Sequence, residues 1–303
     1  GWRIAFPIEG VTLVICAVII FFFDKIYFSE KFVLVDDYKG KEEELPEEKK
    51  HVSIFTNVGK ILSNQIFLFC SLCNSVAFFG IGVVQYFGDK YMKLVLNIGD
   101  STRFILFGLL CLFGPTTGMV VGGVITSKLG GYIKRRSMAF VIICSAISAS
   151  ISMLIAIRKN SFLFGITGWT YLFAIGGIIP PISGIIISCL DNNLRGDGFS
   201  LCNFLTNLLG NFPSSYVYSL LVDAFAPDDD KGKEEKEQSV DKYMYAWMIT
   251  MGYNFVGLLF VIIGGIFRFR IEGDLSETKN EDEKEHQVTS GNEIVTEGKY
   301  ENY

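Results

Sequence analysis

The sequence predicts an all-α, multi-pass membrane protein. Half of the 303 residues are hydrophobic, and the mean hydropathy is positive at +0.37. Charged residues are gathered in a few blocks, and the apolar stretches between them have the roughly 20-residue length that a helix needs to cross a bilayer. These stretches are residues 4–23, 64–88, 104–127, 138–157, 162–190, 198–222 and 244–267. Because lipid cannot satisfy backbone polar groups, we expect each stretch to form a transmembrane α-helix, which makes seven in all.

The composition also argues against several classes of function. The net charge of −5 lies mainly in loops and tail, so no nucleic-acid partner is expected. His51 and His286 lie in charged segments, which speaks against a zinc site or a histidine-based triad. The spacing of Cys70 and Cys73 could suggest redox or metal chemistry, but without a second pair we interpret it as packing. Since no acid–base or metal residues converge at membrane depth, we expect neither an enzyme nor a cofactor.

The basic residues indicate how the chain is oriented. Residues 1–23 form the first predicted helix, and residues 24–63 form a charged loop that is too small for a core of its own. Lys128, Lys134, Arg135 and Arg136 crowd a short loop after the third span, which marks that loop as cytoplasmic. A patch for a soluble partner is the alternative. By the same rule we expect the 24–63 loop and the acidic, disordered tail at 271–303 to be cytoplasmic.

The middle spans carry several candidate pathway and gating residues. Asn74 and Gln85 are eleven residues apart and therefore share a helix face. Gly118 and Gly122 allow a neighbouring backbone to approach closely. Pro180 and Pro181 should bend or break the fifth span. Trp169 is either an interfacial belt residue or a cavity residue.

The sixth span is the most polar one. Arg195 precedes it and Asp223 closes it, and Asn203, Asn207, Asn211 and Ser214 fall within one narrow helical sector. Amides in hydrocarbon need a partner, so this face should point to protein or water. Two interpretations stay open, namely hydrogen bonding between helices and the polar wall of a transport pathway.

The order of spans resembles the later part of a major facilitator transporter, helices six to twelve, with residues 64–270 as its C-terminal six-helix bundle. The opening GWRIAFPIEG resembles the family's entry into helix six. The stretch Gly123 to Gly130 resembles the family's G-x-x-x-D-R-x-G loop motif, although Ser127 replaces the acid and the basic pair is displaced to Arg135 and Arg136. We therefore assign that motif no gating role.

The sixth span resembles helix eleven of Spinster-like transporters. The resemblance is carried by Arg195, the run Leu208-Leu209-Gly210-Asn211, Ser214, Tyr216 and Asp223. Asn207 and Asn211 stand where that family has a histidine and an aspartate. The resemblance implies alternating-access transport of a small organic or lipid-like solute, such as a lysophospholipid or a sphingolipid.

The resemblance also implies partners and leaves other functions open. Seven spans that match helices six to twelve imply a missing N-terminal bundle, either in the same full-length chain or in a partner, besides the lipid bilayer and the substrate. The other interpretations are a truncated membrane protein that transports nothing and a carrier for another solute class such as sugars.

Overall fold

A computed structural model describes residues 54–157, 161–225 and 235–270, together with residues 11, 14 and 15, which are helical. The rest of the first predicted span, most of the 24–63 loop and the 271–303 tail lie outside the described residues. Within the described ranges every regular element is helical. The helices are α1 (Ile54–Ser63), α2 (Gln65–Leu94), α3 (Asp100–Lys128), α4 (Arg135–Ile157), α5 (Ser161–Ser188), α6 (Arg195–Thr206), α7 (Phe212–Ala224), α8 (Glu235–Gly252) and α9 (254–270).

The second to seventh predicted spans correspond to α2–α9, so the all-α, multi-pass architecture is confirmed. Five helical stretches are long and apolar enough to cross a membrane, namely Gln65–Leu94, Asp100–Lys128, Arg135–Ile155, Ser161–Ser188 and Val240–Arg270. The last stretch combines most of α8 with α9. The predicted sixth span is a continuous helical run, but a π turn over Asn207–Asn211 divides it into α6 and α7. The last ten residues of the predicted 24–63 loop form α1.

Helix α2 lies at the centre of the described bundle. Its sequence is apolar or small on every side, which is the pattern of a helix surrounded by others. Near its C-terminal end an aromatic cluster joins four helices: the Tyr91 ring stacks on Trp247 at 4.5 Å, Phe164 lies 5.7 Å from Tyr91, and Tyr218 meets Trp247 edge-on at 6.2 Å. The rings of Tyr91, Tyr218 and Trp247 are fully buried, so this cluster anchors α2, α5, α7 and α8 to one another.

Helices α3 and α5 approach each other along a seam of glycines. Gly118 lies against the Phe173 carbonyl, and Gly122 lies against the backbone of Gly177. A β-carbon added at Gly122 would lie 2.8 Å from the Gly177 α-carbon, which is closer than real β-carbons come. The two backbones can touch here only because side chains are absent.

The double proline does not break α5, which is helical without interruption from Ser161 to Ser188. That part of the expectation was wrong. Pro181 lacks the N–H that would bond the Gly177 carbonyl, and this freed oxygen faces Gly122 of α3. A glycine Cα–H can take part in a weak Cα–H···O contact, and the neighbouring helix excludes lipid from the oxygen.

This seam yields a test with a matched control one residue away. Gly122→Ala should destabilise the protein by about 1–3 kcal/mol, because the new methyl group meets α5 backbone that cannot rotate aside. Gly123→Ala adds the same methyl where nothing lies within 4 Å, and should be neutral or stabilise by up to about 1 kcal/mol. Thermal unfolding of the purified protein in detergent measures both. Equal shifts for the two variants would contradict the packing described here.

Candidate substrate pathway

The π turn is the structural centre of the candidate site. Across it, the Phe212 N–H donates to the Asn207 carbonyl, five residues back instead of four. Pro213 follows directly and has no N–H of its own, which removes one competing α-helical hydrogen bond. Gly210, the buried residue of the turn, lies against the Ser75 carbonyl of α2, and a side chain would not fit there. Single π turns occur frequently at functional sites.

The asparagines form a hydrogen-bonded row across this turn. Asn207 Nδ2 donates to the Asn203 carbonyl at 2.9 Å, and Asn211 Nδ2 donates to Asn207 Oδ1 at 3.0 Å. Ser214 Oγ then donates to the Asn211 carbonyl at 2.6 Å. We call these four residues the amide row. Its members are linked along their own helical run and use no partner from another helix in these bonds.

The members of the amide row have different environments, although the sequence places them in one sector. Asn203 and Asn207 are exposed, Asn211 is half-buried and Ser214 is fully buried. Ser214 is covered because α2 presents Gly82 to it; a β-carbon at Gly82 would lie 2.5 Å from Ser214 Oγ. The row therefore starts on an open face and ends inside the contact with α2.

The two candidate pathway residues of α2, Asn74 and Gln85, also lie in different environments. Asn74 is buried, and its Nδ2 donates to Thr206 Oγ1 of α6 at 3.0 Å. Its Oδ1 receives no donor from the described part of the chain. Gln85, eleven residues further on, is exposed. The shared helix face is thus covered by α6 at one end and open at the other.

Trp169 lines a cavity between α3 and α5. Its indole is 39% exposed and stacks on Phe173 with ring centroids 5.1 Å apart. The cavity has a volume of about 600 Å³ and an apolar wall with hydroxyl groups at one end; its lining includes Thr102, Leu106, Phe113, Ser161 and Phe162. A second apolar cavity of about 420 Å³ lies between α2, α7, α8 and α9, and its lining includes Ser75, Phe79, Leu209, Val217 and Tyr253.

The candidate gating residues do not form a single cluster. Arg195 Nε donates to the Leu190 carbonyl at 3.4 Å, while Asp223 is exposed at the other end of the α6–α7 run. Pro180, Pro181, Gly118 and Gly122 belong to the α3–α5 seam. In the ranges that the structure describes, no three His, Cys, Asp or Glu side chains are grouped as metal ligands would be.

Sequence reasoning missed two polar contacts. The Tyr171 hydroxyl donates to Asn254 Oδ1 at 3.3 Å, in space left free by Gly80. Arg103 contacts both Asp89 and Asp100 at 2.7 Å, with only 5% of its side chain exposed. The spacing of Asp100 and Arg103 was a usable helical signal. Nothing in the sequence indicates the pairing of residues 83 positions apart.

Comparisons with known proteins find that the chain is similar to transporter families. The model of the Organic Anion Transporter Polypeptide (OATP) family matches residues 1–167, more than half of the chain, so the chain belongs to this family. That match ends before the sixth span, which carries the resemblance to Spinster-like transporters.

The Spinster-like resemblance is confirmed by two other proteins. A probable sphingolipid transporter, spinster homolog 1 of Arabidopsis thaliana, is 21% identical over 245 residues, which cover 74% of this chain and 48% of that protein. A crystal structure of a bacterial homolog of the human lysosomal transporter Spinster, inward-facing and unoccupied, superposes with a TM-score of 0.61 at 9% identity. The superposed part covers 79% of this chain and 56% of the bacterial protein. At this low identity the likeness shows that the two proteins share a fold.

The protein is therefore an integral, multi-pass membrane protein of the major facilitator type. The chain spans about half the length of the curated relative that it matches.

The contact between α2 and α6 can be tested with a near-isosteric change. Thr206→Val removes the acceptor of the Asn74 amide and leaves that buried N–H group unpaired, so we expect a loss of roughly 0.6–1.7 kcal/mol of stability. Thr116→Val is the control, because Thr116 is exposed and bonds only the Leu112 carbonyl of its own helix. Unfolding in detergent gives both values, and a double-mutant cycle with Asn74→Ala gives the coupling. A coupling energy of zero would show that the two side chains do not interact.

Proposed function

We propose that this protein helps to move a lipid-like or otherwise amphipathic organic solute across the membrane by alternating access, and that the amide row faces the transport path. The observation that carries the proposal is the open end of the row, where Asn203 and Asn207 are exposed within a helical run of membrane-spanning length. A carboxamide that faces hydrocarbon without a partner is costly, so this surface requires a polar neighbour.

The surroundings of the amide row suit an amphipathic solute. Phe204, Phe212 and Tyr216 project from the same helical run and are 60%, 76% and 64% exposed. Exposed rings beside a line of amides can contact an apolar chain and a polar group at the same time. A hexose has hydroxyl groups on every side and would need more hydrogen-bonding partners than these helices present.

Recognition along the described spans relies on neutral groups. The charged side chains of these helices lie within about two turns of a helix end, so none sits at mid-depth. A polar headgroup would therefore be bound through amide and hydroxyl groups rather than through a lysine or arginine of these spans. This favours a solute whose polar part is small relative to its apolar part.

Two of the similar proteins and families carry names that support an amphipathic solute. The Arabidopsis relative is named a probable sphingolipid transporter, and the family that matches residues 1–167 is named for organic anions. An amphipathic organic anion is accordingly the second candidate. Its charge would have to be met by groups other than those of the described mid-membrane helices.

Alternating access also needs a second helical bundle that closes each side of the site in turn. Two parts of the described bundle have uncovered faces for such a partner, α3 along most of its length and the α6–α7 run around the amide row. We propose that a second bundle, from the same protein or from a partner, packs against these faces.

Ligand binding to the purified protein in nanodiscs tests the substrate class. Labelled lysophosphatidylcholine, a fluorescent alkyl sulfonate and labelled glucose are titrated separately. We expect lysophosphatidylcholine to bind. An Asn207→Leu, Asn211→Leu double variant should weaken its binding roughly fivefold or more, because two hydrogen bonds of about 0.5–1.5 kcal/mol each are lost.

A leucine pair at exposed Ile147 and Ser150 of α4, outside both of these uncovered faces, is the control, and it should leave binding unchanged. Unfolding curves of both variants separate loss of binding from loss of fold. Glucose binding without lipid binding would rule out a lipid-like substrate, and preference for the sulfonate would favour the second candidate. Normal binding by the double leucine variant would place the amide row outside the path.

A further inference from the structure

The loop between α3 and α4 contains a cationic cavity that the proposed transport path does not use. The cavity has a volume of about 560 Å³ and is lined by Lys128, Leu129, Gly130, Lys134, Arg135 and Arg136. We call it the cationic pocket. Four of its lining side chains are basic, and none is acidic.

The backbone of this loop is held in a defined conformation. Gly130 and Gly131 have φ values of 98° and 84°, and their N–H groups bond the carbonyls of Ser127 and Thr126. This pattern is a Schellman motif, which needs glycine at the left-handed position. The Lys134 stem lies over Gly130, where an added β-carbon would come within 3.1 Å of its Cγ. The pocket is therefore formed before any ligand arrives.

Helix α9 fixes the other side of the loop. Buried Arg268 donates to the Ile133 carbonyl at 2.6 Å, and Arg135 donates to the Phe269 carbonyl at 3.1 Å. These bonds run in opposite directions between the loop and the end of α9. Three helix ends thus meet at the cationic pocket.

Three basic side chains of the pocket are not neutralised by the described residues, because Lys128, Lys134 and Arg136 have no carboxylate of the described part of the chain within ion-pair distance. The carboxylates of Asp89 and Asp100 pair with Arg103 at the opposite end of the bundle. The positive-inside rule assigns such a basic end to the cytoplasmic leaflet, where anionic lipids are concentrated.

The pocket lies at the boundary between hydrocarbon and water. Lys128 is the last residue of α3 and Arg135 the first of α4, so the basic groups sit at the level where two spans end. Beside them, Ile133 is 66% exposed and Tyr132 is 41% exposed. An apolar and an aromatic side chain next to fixed cations can contact both the acyl region and the headgroup of a lipid.

From these observations we propose that the cationic pocket binds the phosphate headgroup of an anionic phospholipid in the adjacent leaflet. Lys128, Lys134 and Arg136 contact the phosphate, and Ile133 and Tyr132 contact the acyl chains. A lipid fits better than a soluble phosphate because the pocket opens at membrane level beside exposed apolar side chains. The bound lipid would join the ends of α3, α4 and α9.

Native mass spectrometry of the detergent-purified full chain tests this site. Dioleoyl phosphatidylglycerol and dioleoyl phosphatidylcholine are titrated separately, and the dissociation constants are compared. We expect selective binding of phosphatidylglycerol. Lys134→Gln with Arg136→Gln should weaken it roughly 30-fold, since each basic group near a membrane surface contributes about a factor of five.

The matched control is Lys60→Gln with Arg270→Gln, which removes two exposed charges at the same end of the bundle but outside the pocket. It should keep phosphatidylglycerol binding, as should Lys134→Arg with Arg136→Lys. Equal losses in the control and the pocket variant would mean general charge attraction and overturn the site. So would equal binding of phosphatidylcholine.

Two further outcomes would identify a different occupant. If inorganic phosphate or glycerophosphoglycerol displaces the lipid at comparable concentration, the ligand is a soluble phosphate and the lipid proposal is wrong. The segment after α9 begins with the acids Glu272 and Asp274. If lipid binds only after these are changed to Gln and Asn, the chain's own acidic segment occupies the pocket.

Discussion

The close contact between α2 and the α6–α7 run is the interaction on which the rest of this bundle depends. Lipid offers no hydrogen bonds, so each polar group on these helices must find a partner in the protein or in a water-filled space. The contact meets this requirement at three points along its length. Asn74 donates to Thr206, the Ser75 carbonyl lies against Gly210, and Gly82 lies against the Ser214 hydroxyl. Phe87 stacked on Tyr218 at 4.1 Å closes it near the far end. Glycines at two of these steps let the backbones come close enough for short side chains to meet.

The α3–α5 seam follows from the same requirement. Prolines free carbonyls, and freed carbonyls inside a membrane have to be covered. Gly122 covers the Gly177 oxygen, so Pro181 remains within an unbroken helix. Sequence reasoning placed the glycines on the third span and the prolines on the fifth but treated them as separate features. The prolines and glycines depend on each other only through tertiary packing, because the sequence of a single helix does not show which residue will lie against a freed carbonyl.

Hydropathy was sufficient to locate the spans that the structure describes, since the bilayer imposes length and composition on each of them. It was not sufficient for the interior of the site. The 3.6-residue period placed Asn203 and Ser214 in one sector, but their exposure depends on Gly82 of another helix and on a π turn. The turn adds a residue at Asn207–Asn211 without a distinctive sequence mark, apart from Gly210 and Pro213. Asn74 was predicted to be a candidate pathway residue, while its partner Thr206, 132 residues away, was not noticed.

The hydrogen bonds between polar groups of the bundle differ in the free energy needed to break them. Asn74 and Thr206 are buried, and separating them leaves an amide without water or another partner, so this pair resists rearrangement. The bonds of Asn207 and Asn211 are local, exposed and made to their own helical run, so breaking them leaves no buried group unpaired. In the proposed transport path, a solute headgroup can therefore replace them at little cost. An amide row that makes part of its hydrogen bonds within itself and can exchange them for bonds to a ligand has a property that the proposed transport path needs, because the solute is bound but can also be released.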